Sequence, residues 1–458
     1  MTATASRASV HTVSRYTIQC ANEASVTSLG SLCNLGPLDT LVFPFVPIEN
    51  VFVYRKLSTS YETKLLPIER LRQPHLTGRL QMNSESHAPE IVRLGTGVEL
   101  HEARCDLRLD DLVPLDRTSD YVLVTDLPNC GTALVPPFDP TLEAVCRDPL
   151  LAIQHTRFAC GSVVLGIRVH HIVCDAGGYF QLVRDIAEVY RGLSSSSHPT
   201  LQRVPQIRSY LQDTSILSRQ QRHEALDYKP TAYYSSWHAM EKSSKPPITG
   251  RVLRFTGDLL QDLKRLATEP SGKNWVSTFE ALSAYLYQLI YRARAQLLLS
   301  QGVPPTEVSK QLLRGFWASI DMRDSRRLNL GPNYFPNAIY PPYRMVAKAL
   351  HELIRAVDVQ QMEKTTRWIA VQPDKSRIRV GFTFVDGNFT ISQWSRFKMY
   401  VSVEFDADGD GNPVHPILVA PPFTEISRVD ALAMILSTDG DLVRAAEQEH
   451  EQFRKYYR

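Results

Sequence analysis

Nowhere in its 458 residues does the chain carry an apolar run long enough to cross a bilayer, since a spanning helix needs about 20 apolar residues in a row. Its opening stretch, MTATASRASVHTVSRYTIQC, lacks the apolar centre of a secretory leader, so the cytoplasm is the expected compartment. None of the seven cysteines (20, 33, 105, 130, 146, 160 and 174) is spaced as Cys-x-x-Cys. Neither a zinc ribbon nor a redox pair is written, and reduced, mostly buried thiols are expected. Charge of one sign is not in excess: 51 Lys+Arg against 48 Asp+Glu leave +3, which calls for neither nucleic acid nor an anionic membrane surface as partner. No internal repeat is present at a period of about 20 to 50 residues, which excludes repeat architectures.

What is present is ordinary for a soluble globular protein: 43% hydrophobic and 22% charged residues, with length for two or three domains. The first half holds short β-rich runs, TLVFPFVPIENVFVYRKL and DYVLVTDL among them. Residues 141–191 read as one unit: strand LLAIQHTRFAC, Gly161, strand SVVLGIRVHHIV, an Asp-Ala-Gly-Gly turn, then helix YFQLVRDIAEVYRG. Phe180, Leu182, Val183, Ile186, Val189 and Tyr190 form an apolar stripe at helical spacing, and Gly192 is a stop signal.

The Ser/Pro-rich stretch GLSSSSHPTLQRVP opens a linker, and the polar stretch 206–250 reads as a long crossover. RVLRFTG then starts a second half. Ser277 or Thr278, with Glu280, caps an apolar helix there. Later strands are expected at GFWASIDMR, NAIYPPY, RVGFTFVDGNF and KMYVSVEF, and a helix over the last thirty residues from near Ser427. Strands mixed with helices in both halves argue an α/β (α+β) protein. The expected division is 1–192, a crossover over 193–250, and 251–458.

His171-Ile172-Val173-Cys174-Asp175 is the most informative stretch. A strand ends at a His and a turn follows, which places a proton acceptor at a pocket mouth. The same spacing recurs at His223 and Asp227, but inside the polar stretch RQQRHEALDYK with no strand before it. That second pair reads as a solvated helix face, so context rather than spacing separates the two.

Four segments, in order, make the chain resemble the BAHD acyltransferases, within the fold group of chloramphenicol acetyltransferase and peptide-synthetase condensation domains. PLLAIQHTRFACGSVVLGIRVHHIVCDAGG follows the family's strand–Gly–strand–HxxxDG arrangement, with Ala176 in place of Gly and Gly177 after it. VSTFEALSAYLYQLIYRAR is similar to the helix after the family's cofactor loop. SIDMRDSRRLNLGPNYFPNAIY resembles its D-x-R…YFGN stretch, with Pro336 for Gly. SQWSRFKMYVSVEFDADGDGNPV stands where the family has [ST]-x-W…DFGWGxP, yet the first Asp, the aromatic and the Trp of that last motif are gone. The Ser-rich crossover and the style of the motifs suggest a fungal member.

The resemblance implies two chloramphenicol acetyltransferase-like domains with a tunnel between them, in a monomer. It implies acyl transfer from acyl-CoA, with acetyl-CoA the expected donor, to a hydroxyl or amine of a small natural product, without an acyl-enzyme. His171 is then the general base, Ser392 and Trp394 stand near the oxyanion, and Asp175 pairs with Arg323 to hold the turn. Lys273, Ser277 and Thr278 are the expected coenzyme A contacts, Tyr334 and Asn337 shape the floor, and His170 faces away.

No resident cofactor or metal is expected. Asp406, Asp408 and Asp410 before Gly411 mimic the start of a calcium loop, but Ile417 stands where its final Glu belongs, so a Gly/Asp-rich hairpin turn is the better reading. Cys160, His170, His171 and Cys174 do not make a zinc set, because neighbouring strand residues face opposite ways. Two other functions stay open at this point. One is a same-fold enzyme repurposed for cyclisation, dehydration or isomerisation, which the degenerate DFGWG-like loop motivates. The other is a carrier-dependent condensation enzyme.

Overall fold

Leu151–Phe158 and Val163–His170 pair antiparallel about the Gly161 turn, in the register Leu151 to Val169 through Arg157 to Val163. The second strand is buried along its whole length, which accounts for its continuous apolar run. The computed structural model describes residues 10–19, 32–42, 46–55, 73–112, 122–193, 201–237, 249–253, 255–268, 276–312, 315–340, 343–345, 358–381, 389–407, 411–422 and 434–437. Around the hairpin lies a six-stranded sheet in the order Val10–Ile18, Val98–Cys105, Leu151–Phe158, Val163–His170, Pro47–Tyr54, Leu418–Ala420. Only the Val98–Cys105 and Leu151–Phe158 neighbours run parallel.

The two faces of this sheet bury different residues because side chains alternate along a strand. Ile48, Phe52, Leu165, Ile167 and Val169 pack against the helix Ala176–Gly192, through Phe180, Val183 and Ile186 of the expected stripe. Each such side chain contributes about 1.5–3 kcal/mol when taken fully from water. Val51, Val53, Phe158 and Val164 face the other way, onto Leu127 and Leu134. His170 belongs to this second face, with its ring edge-on to Phe138 at 5.5 Å. Complete burial, and the nearby guanidiniums of Arg168 and Arg79, push its pKa down to about 3 and hold it neutral.

The second half is built around the helix Thr278–Ser300, which Ser277 and Glu280 close with the expected capping box. Leu286, Leu289 and Tyr287 on this helix meet Phe316, Phe389 and Ile391 of a three-stranded sheet. In that sheet Gly315–Ala318 is central, antiparallel to Tyr343–Met345 and parallel to Phe389–Ile391. Two separate two-stranded pairs are Ile320–Asp321 with Ile339–Tyr340, and Ile378–Val380 with Tyr233–Ser235. The crossover is not structureless. It holds the helix Arg219–Asp227, on whose exposed side His223 and Asp227 face each other at 3.7 Å. The solvated-face reading of that second His-x-x-x-Asp therefore holds.

Three expected elements differ. In DYVLVTDL, Val124–Asp126 is a 3-10 turn, because the Asp126 carboxylate accepts the Leu123 N–H at 2.7 Å and folds the run before it can extend. KMYVSVEF contains no strand, since Lys398 and Ser402 take left-handed φ values of 49° and 62° that interrupt any ladder. Within the expected C-terminal helix, Met434–Ser437 is instead a strand antiparallel to Thr249–Val252. A short apolar run reads equally well as either element until a partner is known. Six cysteines are described and all are free, Cys105 and Cys174 being buried; Cys20 lies outside the described residues. No helix among the described residues is long and apolar enough to cross a membrane.

Candidate active site

His171 follows directly on the buried strand Val163–His170 and stands in the wall of a cavity of about 60 Å³. The same cavity is lined by Ser392, Trp394 and Arg396, which come from the loop after the strand Phe389–Ile391, and by Asp321 and Arg323. Residues from both halves of the chain thus converge on one space. Three sequence-predicted catalytic residues, His171, Ser392 and Trp394, meet there.

The turn after His171 is held by a buried ion pair. Arg323 donates Nη2 to Asp175 Oδ1 at 2.8 Å and Nη1 to Asp175 Oδ2 at 2.9 Å. The Asp175 carboxylate also accepts the N–H of Gly178 at 3.1 Å, capping the helix Ala176–Gly192, and that of Ala338 at 2.8 Å. Burial alone would raise its pKa; Arg323 and the two amides outweigh burial and leave it below the usual carboxylate range. Burial likewise opposes the Arg323 charge, and Asp175 and Asp321 overcome it. Arg323 reaches further, donating to the carbonyls of Tyr334 at 2.8 Å and Pro336 at 2.9 Å. It therefore binds the Asn-Tyr-Phe-Pro-Asn stretch to the His turn.

The two glycines of the Asp-Ala-Gly-Gly turn are closely packed. A Cβ on Gly178 would lie 2.1 Å from the Phe335 carbonyl oxygen. A Cβ on Gly177 would meet side-chain ends instead, the Arg323 guanidinium and Asp175 Oδ1, each at 3.1 Å.

A second support was not visible as such in the sequence. Asn337 donates Nδ2 to the carbonyl of His171 at 3.0 Å and to that of Ile172 at 3.2 Å. The same amide, and the Asn337 backbone N–H, reach Asp39 Oδ1 at 3.0 Å each. Asp39 Oδ2 accepts the Gly36 N–H at 2.8 Å. Burial pushes the Asp39 carboxyl up to about 6, against hydrogen bonds from Ser209, Asn337 and Gly36 that pull it down. The signal was there in NLGPLDTL, an Asp set among leucines behind a Gly-Pro turn. An isolated carboxylate in an apolar run needs buried donors.

Ser392 and Trp394 are coupled. Trp394, 2% exposed, donates its indole N–H to Ser392 Oγ at 3.0 Å. Its ring packs edge-on against Phe180 at 5.6 Å, and Phe180 stacks on Phe397 at 5.8 Å. Trp394 thus reaches Ser392, and Ser392 keeps its own O–H to donate.

The expected coenzyme A contacts are less complete. Ser277 Oγ accepts the Glu280 N–H, and the Glu280 carboxylate takes the Ser277 N–H. A carboxylate already lies at that helix start, and neither Ser277 nor Thr278 lines the His171 cavity. Lys273 lies outside the described residues, as do Asp408, Gly409 and Asp410 of the degenerate loop. On either side of that loop Ala407 and Pro413 form an antiparallel bridge, and Val414 N–H reaches the Asp406 carbonyl at 3.0 Å, as a hairpin requires. Among the described residues no group of three or more His, Cys, Asp or Glu is placed to hold a metal.

Comparison with known proteins gives a consistent answer. The model of the family described as "Transferase family" matches residues 8–445. A shikimate O-hydroxycinnamoyltransferase of Nicotiana tabacum is 24% identical over 395 residues, covering 82% of this chain and 83% of the relative. Among solved structures, vinorine synthase superposes with a TM-score of 0.60 at 15% identity, covering 94% of this chain and 96% of its own. TRI101 of F. graminearum, complexed with coenzyme A and deoxynivalenol, gives 0.57 at 17% identity, covering 90% and 96%.

Proposed function

The chain belongs to the transferase family of BAHD acyltransferases and is an acyl-CoA-dependent O- or N-acyltransferase with the chloramphenicol acetyltransferase-like fold, and on that premise we propose that it moves an acetyl group from acetyl-CoA to a hydroxyl or amine of a small natural product, with His171 as general base. The observation that carries this reading is that His171 and Ser392 line one cavity from the two halves of the chain.

In this reading His171 takes the proton of the acceptor as its oxygen or nitrogen attacks the thioester carbonyl. The tetrahedral oxyanion receives the Ser392 O–H, aimed by Trp394. The intermediate collapses by breaking the C–S bond, and the imidazolium returns its proton to the leaving thiolate. No acyl-enzyme forms, because both substrates meet in one space. Trp394, first expected beside the oxyanion, is a positioning residue here. Lys273 and Thr278 remain the proposed coenzyme A contacts, with Ser277 shaping that helix start.

The acetyl donor is the one that the resemblance implies. The test is to incubate the protein with acetyl-CoA and a metabolite extract, following free thiol and products heavier by one acetyl group. His171→Ala should abolish both, at a cost of about 10²–10⁴ in rate. Metabolites consumed at unchanged mass or with loss of water, without thiol release, would transfer the reading to a repurposed enzyme of the same fold.

A further inference from the structure

Four charged groups of alternating sign run from the His171 turn to the loop that carries Ser392. Asp175 pairs with Arg323 at 2.8 Å; Arg323 Nη1 donates to Asp321 Oδ1 at 3.2 Å; the other oxygen of Asp321 is taken by Arg396. Side-chain exposure rises along the row, from 3% through 11% and 22% to 47%. The inner end stands four residues after His171 and the outer end four residues after Ser392.

We propose that Arg396 is a positioning residue which, through Asp321 and Arg323, fixes the Ser392 hydroxyl relative to the His171 ring. The inference rests on the reading of those two residues as base and oxyanion donor. Two features argue for a link rather than a ligand site. Both Asp321 oxygens are engaged by guanidinium groups, and Asp321 Oδ1 also accepts the Arg323 backbone N–H at 3.0 Å. That makes Asp321 a fixed post, and the Arg396 fork is turned toward it. The next residue of the loop is tied down as well, since the Phe397 carbonyl accepts Arg184 Nη1, from the helix Ala176–Gly192, at 3.2 Å. The Ser392 loop is therefore anchored to the same helix that Asp175 caps, by two independent routes.

An exposed ion pair adds little to stability, whereas a displacement of about 1 Å between reacting groups can cost up to about 10²-fold in rate. Those two magnitudes separate in experiment. Turnover is read as free thiol released from acetyl-CoA with water as acyl acceptor, in which water loses its proton to His171, its oxygen joins the acyl carbon, and the thiolate leaves protonated. Arg396→Gln should lower kcat about 10- to 100-fold with KM for acetyl-CoA unchanged. Arg396→Lys, which keeps a cation on Asp321, should recover most of that loss. Asp321→Asn should match Arg396→Gln, and the double variant should be no worse than either, as expected for two members of one link. A raised KM with unchanged kcat would make Arg396 a substrate-binding cation and overturn the proposal. Unchanged kcat and KM would show the pair to be idle and overturn it too. His171→Ala and Ser392→Ala are assayed in parallel, and wild-type turnover in either would remove the parent reading instead.

Discussion

The indole N–H of Trp394 ends on the hydroxyl oxygen of Ser392, 3.0 Å away and two residues back along the same loop. Trp394→Phe keeps a ring to pack on Phe180 but removes the donor. Steady-state kinetics should show kcat lower by about tenfold, against about 10²–10³ for Ser392→Ala, with little change in unfolding midpoint. Equal losses in the two variants would mean that the indole itself meets the oxyanion.

Asp175 and Arg323 are 3% and 11% exposed, so neither charge is solvated if the other is removed. Asp175→Ala should cost about 3–5 kcal/mol in chemical denaturation. Adding Arg323→Met should return part of it, because the stranded cation goes too. A double variant less stable than Asp175→Ala would contradict this account.

The two glycines of the turn should respond differently. Gly178→Ala drives a methyl against the backbone oxygen of Phe335 and should destabilise by about 1–3 kcal/mol. Gly177→Ala meets only side-chain ends, those of Arg323 and Asp175, at the longer distance of 3.1 Å, and should cost less. Thermal unfolding of the pair decides it; the reverse order would mean that the Arg323 guanidinium is the more rigid neighbour.

Asp39 gives the protein a pH signature. Its carboxyl is raised from 3.8 to about 6 inside the fold, so between those values the native protein holds a proton that the unfolded chain has lost. Unfolding then becomes easier as pH rises from about 4 to 6, and the cost stays constant above. The full effect is about 3 kcal/mol at about 1.4 kcal/mol per pH unit. Asp39→Asn lacks this component. The difference in unfolding free energy between wild type and variant, measured by denaturant titration at several pH values, should fall across that window; a flat difference would show that the native carboxyl ionises normally.

Much of the site was legible because its residues are bound to local patterns. The strand–Gly–strand run, the His at its end and the Asp that caps the next helix lie within one short segment, and their chemistry is written in order. Ser277 and Glu280 were legible for the same reason. What escaped were partnerships made only by the fold. Asp321 and Arg396 stood in quoted segments, yet nothing along the chain pairs them. Asp39 lies far from Asn337, and only burial turns an ordinary Asp into a post for four donors. KMYVSVEF misled because alternation says nothing of Lys398 and Ser402 adopting left-handed backbone.

Leu418–Ala420 comes from late in the chain, yet it is the sixth strand of the sheet begun at Val10, pairing with Val51–Val53. The two halves are therefore interlocked like links rather than strung like beads. A fragment ending at residue 192 would bare the flank of Pro47–Tyr54, an eight-residue run buried along its whole length in the intact protein, and such an uncovered hydrophobic edge invites self-association. Chimeras that exchange halves between relatives must carry that late strand along with the first half.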